Sequence, residues 1–143
     1  DLCYTIVKQL RDTGFVRKIH IIIEDRNFTQ LTDDLTDIID RRNASSIKNR
    51  MLSFGSIKKS LILSILIGKK NDNIPSVIPF EKAKMILNKL DDTECDLESP
   101  TSELVQKLET HGCNMQKVWM NRRLLDMTLI PDTVTSSVMV SYV

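Results

Sequence analysis

The sequence predicts an all-α fold, a compact single-domain bundle of about seven helices with a short extended arm at the C-terminal end. Three observations carry that prediction. Apolar residues recur at three- and four-residue spacing along most of the chain. The apolar mass is aliphatic, with aromatics at only 5% of residues, so the core is expected to be built from leucine and isoleucine. The four glycines and four prolines are too few for a linker-rich chain. A length of 143 residues fits one compact domain. At that size about two-thirds of the unfolded surface is buried on folding, so no staple is needed.

The elements follow in order. Leu2 to Arg11 places Cys3, Ile6, Val7 and Leu10 on one helical face, and Gly14 is its stop. Phe15 to Ile23 reads two ways. Phe15, Val16, Ile19, Ile22 and Ile23 fit a helix, while Ile19, Ile21 and Ile23 alternate as in a strand. The helix is favoured because no second strong strand is nearby to pair with it. Phe28 to Arg42 reads as a helix through Phe28, Leu31, Leu35, Ile38 and Ile39, with Asn27 as N-cap, Gln30 three residues on, and Arg41 and Arg42 in the last turn. Ser45 or Ser46 to Phe54 is a further helix ended by Gly55.

Ser56 to Ile67 is apolar nearly all round, which suits the centre of a bundle, a buried strand being the competing reading. Gly68 to Pro79 is a connector with Pro75 and Pro79 as breakers. Phe80 to Leu90 is amphipathic, Asp91 to Thr101 is an acidic loop, and Ser99-Pro100 opens a helix ended by Gly112. Asn114 to about Leu129 closes the helical domain, expected over 1–132. The β-branched, serine-rich 133–143 is an edge strand, an extended arm or a tail.

Net charge is +1 but unevenly spread, +5 over residues 1–70 and −4 over 71–143. Eight bases and no acid lie between Arg41 and Lys70: Arg41, Arg42, Lys48, Arg50, Lys58, Lys59, Lys69 and Lys70. Six acids and no base lie between Asp91 and Glu103. The basic stretch, on two consecutive expected helices, forms a positive face that meets phosphates or an acidic partner; its other readings are a solvated face, or pairing with the acidic 91–103 loop of the same or another copy. A second basic group, Lys117, Arg122 and Arg123, flanks Trp119, the only tryptophan. Arginine beside an exposed aromatic suits single-stranded nucleic acid, whereas Met115 and Val118 beside Trp119 suit an inward-facing ring.

Catalytic chemistry has little to stand on. Neither G-x-S-x-G nor a Cys/His signature is present, and the glycines are too sparse for a phosphate-binding loop. Cys95, His111 and Cys113 lack the paired spacing of structural zinc. No catalytic residue, cofactor or metal is expected, and the chain is read as not an enzyme. The odd cysteine count points to reduced thiols, hence an intracellular setting, cytoplasmic or nuclear. The start at Asp1 suggests a piece of a longer chain. The longest apolar run, seven residues, is too short to span a bilayer, so no membrane insertion is expected.

Two functional readings remain. The first is a helical protein–protein interaction or self-association domain, with a scaffold, adaptor or assembly role. Its surface would come from the aliphatic surplus of Ile21, Ile22, Ile23, Leu63, Ile67, Met120, Leu124 and Met127, whose other reading is a well-filled core. The alternative is a nucleic-acid-binding helical module using the 41–70 face, with Arg122 and Arg123.

Overall fold

Four isoleucines in five residues favour extended backbone at Ile19–Ile23, and this segment is strand β1. The structure, a computed structural model, describes residues 2–15, 17–42, 45–46 and 56–142. The chain divides into two compact units, Asp1–Ser53 with Asp126–Val143, and Phe54–Leu125.

The first unit is α/β. Helix α1 (Leu2–Asp12) leads to β1, which pairs in parallel with β2 (Thr36–Asp40), Ile19 opposite Thr36 through Ile23 opposite Asp40. β2 also pairs antiparallel with the short β3 (Ser45–Ser46), giving the order β1-β2-β3. Parallel strands need a crossover, supplied here by a segment containing the 3-10 helix Arg26–Leu31. Ile38, fully buried, packs with Val7 and Leu31, against Cys3, Tyr4, Ile21, Ile23 and Phe28. Arg11 fixes α1 to the sheet by donating to Thr36 Oγ1 at 2.7 Å. A last helix, Asp132–Tyr142, lies beside α1.

The second unit is helical. It contains α2 (Ile57–Ile67), α3 (Phe80–Asn88), α4 (Glu103–Thr110) and α5 (Met115–Leu125), so the C-terminal helix Asp132–Tyr142 is α6. Ser56 caps α2 by accepting from the Lys59 N–H, and Ser102 caps α4 by accepting from the Val105 N–H. α2 packs against both α3 and α5, as its nearly all-round apolar surface requires. Ile65, Leu66, Ile86, Leu87, Leu104, Leu108 and Val118 form the aliphatic core, joined by the buried Cys95.

The all-α bundle with an extended arm is therefore incorrect. Within the segment expected as a helix over 15–23, Ile19–Ile23 is strand β1. The helix expected over Phe28 to Arg42 is instead a 3-10 turn followed by β2, and Asp25, rather than Asn27, caps that turn by accepting the Asn27 N–H at 2.9 Å. The expected capping partner Gln30 instead accepts the Met127 N–H through Oε1 and donates to the Asn27 carbonyl. The expected arm at 133–143 is helical over 133–142. Most of the helix expected at 45–54 lies outside the described residues, and its first two residues form β3.

Candidate functional site

Two basic segments survive as surface features, one in each unit. In the first unit the parallel pairing brings the carboxyl ends of β1 and β2 to one edge. Glu24 and Asp25 leave β1 there, and Asp40, Arg41 and Arg42 leave β2. The Arg41 N–H extends the ladder by bonding the Ile23 carbonyl at 3.3 Å, and the Arg42 N–H bonds Asp40 Oδ1 at 2.8 Å. The Arg42 guanidinium reaches Glu24 Oε2 at 3.3 Å while remaining 76% exposed.

In the second unit the site is the connector between α2 and α3. Gly68 turns the chain with φ 70° and ψ −173°, a conformation essentially reserved for glycine. A Cβ at this position would stand 2.4 Å from the Ile74 carbonyl oxygen. Lys69 and Ile74 then close an isolated antiparallel bridge around the 3-10 turn Lys70–Asp72, helped by Asn73 in the left-handed region. The Lys69 ammonium pairs with Asp72 at 2.7 Å, and Lys70 is exposed. From α5, the fully buried Asn121 donates through Nδ2 to the Ile65 carbonyl at 2.9 Å and the Pro75 carbonyl at 2.8 Å, pinning the connector to α2. Nothing in the sequence marks Asn121 as functional. Its only signal was a polar residue three positions after Val118 on an otherwise inward face.

The remaining basic residues are placed as follows. Lys48 and Arg50 lie outside the described residues. Lys58 Nζ donates to the Asp92 carbonyl at 3.0 Å and Lys59 Nζ to the Leu90 carbonyl, while Ser56 Oγ donates to Asp92 Oδ1 at 2.9 Å. Arg122, only 14% exposed at its side chain, spans the Leu97 carbonyl and Glu98. The unit's own bases thus clamp its acidic segment. Trp119 is half-buried and packs against the core, and Arg123 is exposed. Much of the aliphatic surplus is also absorbed. Leu63 and Ile67 pack on one core, Ile21, Ile23 and Met127 on the other, and Ile22 (67%), Leu124 (62%) and Met120 stay exposed.

Electrostatics separate the structural groups from the free surface. Thr93 and the Glu94 N–H donate to Asp91 and hold its carboxyl below the usual range. Burial raises Asp33, but the Leu35 N–H, the Thr36 donors and the Arg11 guanidinium outweigh it and bring the group down. Burial pushes the Cys95 and Cys113 thiols up, which makes both poor nucleophiles. Among the described residues no three of His, Cys, Asp or Glu are grouped so as to hold a metal ion. No helix among them is long and apolar enough to cross a membrane.

No protein-family model matches this sequence, and no curated protein matches it. Its fold does resemble solved structures. One is the bacteriophage T5 D15 protein co-crystallised with metal ions, with a TM-score of 0.61, 14% identity, and coverage of 95% of this chain and 58% of that one. Another is a variant of the bacteriophage T5 D15 flap endonuclease in a pseudo-enzyme–product complex with DNA and metal ions. It has a TM-score of 0.61 and 14% identity, covering 96% of this chain and 57% of that one. At such identity the likeness is one of fold, and this chain spans about 58% of the phage chain's length. These neighbours are α/β flap endonucleases, which overturns the all-α expectation a second time.

Proposed function

We propose that this chain is a nucleic-acid-binding domain on a flap-endonuclease fold, and that the α2–α3 connector meets DNA phosphates through Lys69 and Lys70. The observation that carries the reading is the fold match over 95% of the chain to an enzyme whose solved forms include a DNA complex. The connector supports it physically. It is held by a backbone bridge, a glycine-specific turn and the buried Asn121, so its lysines are presented without a large ordering cost. Phosphate contact by such cations releases counterions and is salt-sensitive. A scaffold or self-association role has no comparable support, since much of the apolar surplus lies against the two cores.

Flap endonuclease D15 is seen with metal ions, so the fit of such ions to this chain can be tested on its donors. Metal-assisted phosphodiester cleavage needs carboxylate oxygens converging on hard cations. Here Asp25 and Asp40 accept backbone N–H groups, Glu24 faces Arg42, and Asp72 faces Lys69. Within neither unit are three described His, Cys, Asp or Glu side chains grouped to hold a divalent ion, and we read this chain as binding nucleic acid rather than cleaving it.

The test is fluorescence anisotropy of a labelled branched DNA with the wild type and a Lys69→Ala/Lys70→Ala variant. The double variant should bind more weakly on every sequence, and its salt slope should fall by about 1 per lysine. Equal affinity and slope in the two proteins would remove the connector from the interface.

A further inference from the structure

We propose that this chain holds DNA without a divalent metal, the cation at the carboxyl end of its parallel strand pair being a built-in one, the Arg42 guanidinium. The inference rests on the nucleic-acid-binding reading and concerns the edge where α/β sheets take their ligands, outside the carboxyl ends of parallel strands. Three carboxylates lie at that edge, Glu24, Asp25 and Asp40. A hard cation would need their oxygens turned towards a common point and largely unshared. They are instead committed locally, Asp25 Oδ1 to the Asn27 N–H at 2.9 Å and Asp40 Oδ1 to the Arg42 N–H at 2.8 Å. Glu24 already has a positive partner in Arg42, at 3.3 Å. A divalent ion arriving at Glu24 would meet the positive Arg42 guanidinium already beside it.

The same contacts suit Arg42 to an anion. Its backbone is anchored to Asp40, and the preceding residue is anchored to β1 through the Ile23 carbonyl. The side chain is nevertheless 76% exposed, so most of its donors face outward. Guanidinium offers a planar fork of donors that matches phosphate oxygens. A fixed cation of this kind neutralises phosphate without the ordered water and vacant coordination positions that strand cleavage by a metal requires.

The experiment compares DNA anisotropy in EDTA with that in MgCl2 at matched ionic strength, alongside calorimetric titration of the DNA-free protein with Mn2+. Affinities should agree within about twofold in the two buffers, the DNA should stay intact, and Mn2+ should give no saturable binding below about 1 mM, the range of weak oxygen sites. Arg42→Ala, checked for folding by circular dichroism, should lower affinity several-fold and reduce the salt slope by about 1, with no recovery in Mg2+. A tenfold gain in Mg2+, cleavage products, saturable Mn2+ binding, or an Arg42→Ala variant that matches the wild type or is rescued by Mg2+ would each overturn the proposal. Failure to bind DNA in either buffer would overturn the nucleic-acid reading and this proposal with it, whereas metal-dependent binding would overturn this proposal alone.

Discussion

Asn121 has no side-chain role that periodicity could assign, because it occupies an inward position where an aliphatic residue would serve packing. Its value lies in two carbonyls left by the end of α2 and by Pro75, which turn inward and need a donor. Replacing it with leucine keeps the branched shape, with somewhat larger volume, and removes both bonds. Unsatisfied buried carbonyls cost about 1–3 kcal/mol each, partly offset because the substitution also removes the buried Asn121 Oδ1, which accepts no bond, so Asn121→Leu should destabilise the second unit by about 2–4 kcal/mol in urea unfolding. A change under about 0.5 kcal/mol would mean that the connector carries its own carbonyls. At the same scale, the lysines that look most alike in sequence divide by geometry. Lys58 and Lys59 reach carbonyls beside the acidic segment, while Lys70 has only the surface in front of it. Nothing in a charge run distinguishes these cases, because the partner carbonyls arrive from more than thirty residues away in the chain.

Among the elements, those with local hydrogen bonding were legible. The helices expected at 2–11 and 80–90 are observed at Leu2–Asp12 and Phe80–Asn88, because one amphipathic stripe and a capping or breaking residue specify each. The strands were not legible for a linked reason. β1 reads as a helix when no partner strand is in view, and its partner β2 lies inside the next segment with helical spacing. Phe28, Leu31, Leu35, Ile38 and Ile39 have helical spacing by coincidence of a 3-10 turn followed by a strand. Parallel pairing is decided by contacts across a crossover, which periodicity within one segment cannot report. The α2–α3 connector, by contrast, was recognisable as a break, although its fixed shape was not. Gly68→Ala tests that shape. The glycine-only backbone and the close Ile74 carbonyl should together cost about 2–4 kcal/mol of stability and weaken DNA binding beyond the loss of fold. Thermal unfolding and anisotropy on the same sample measure both, and an unaltered melting temperature would show that the turn can relax.

For the whole molecule, the charge asymmetry is the feature of the candidate site that the sequence displayed most clearly. What it could not display is the division of the basic 41–70 stretch between two units, with Arg41 and Arg42 following a strand and Lys58 to Lys70 bracketing a helix. Of the residues expected on that face, Arg41 and Arg42 follow β2, Lys58 and Lys59 lie on the helix Ile57–Ile67, and Lys48 and Arg50 lie outside the described residues. The fold itself, shared with flap endonucleases at 14% identity, is preserved in backbone architecture with few cues in residue type. Nucleic-acid binding is the central claim, and the salt dependence of the equilibrium constant tests it most directly. Measured in EDTA from about 50 to 200 mM salt, log K for a labelled branched DNA should fall linearly against log salt with a slope of about −2 or steeper. A flat dependence, or no binding at the lowest salt, would contradict it.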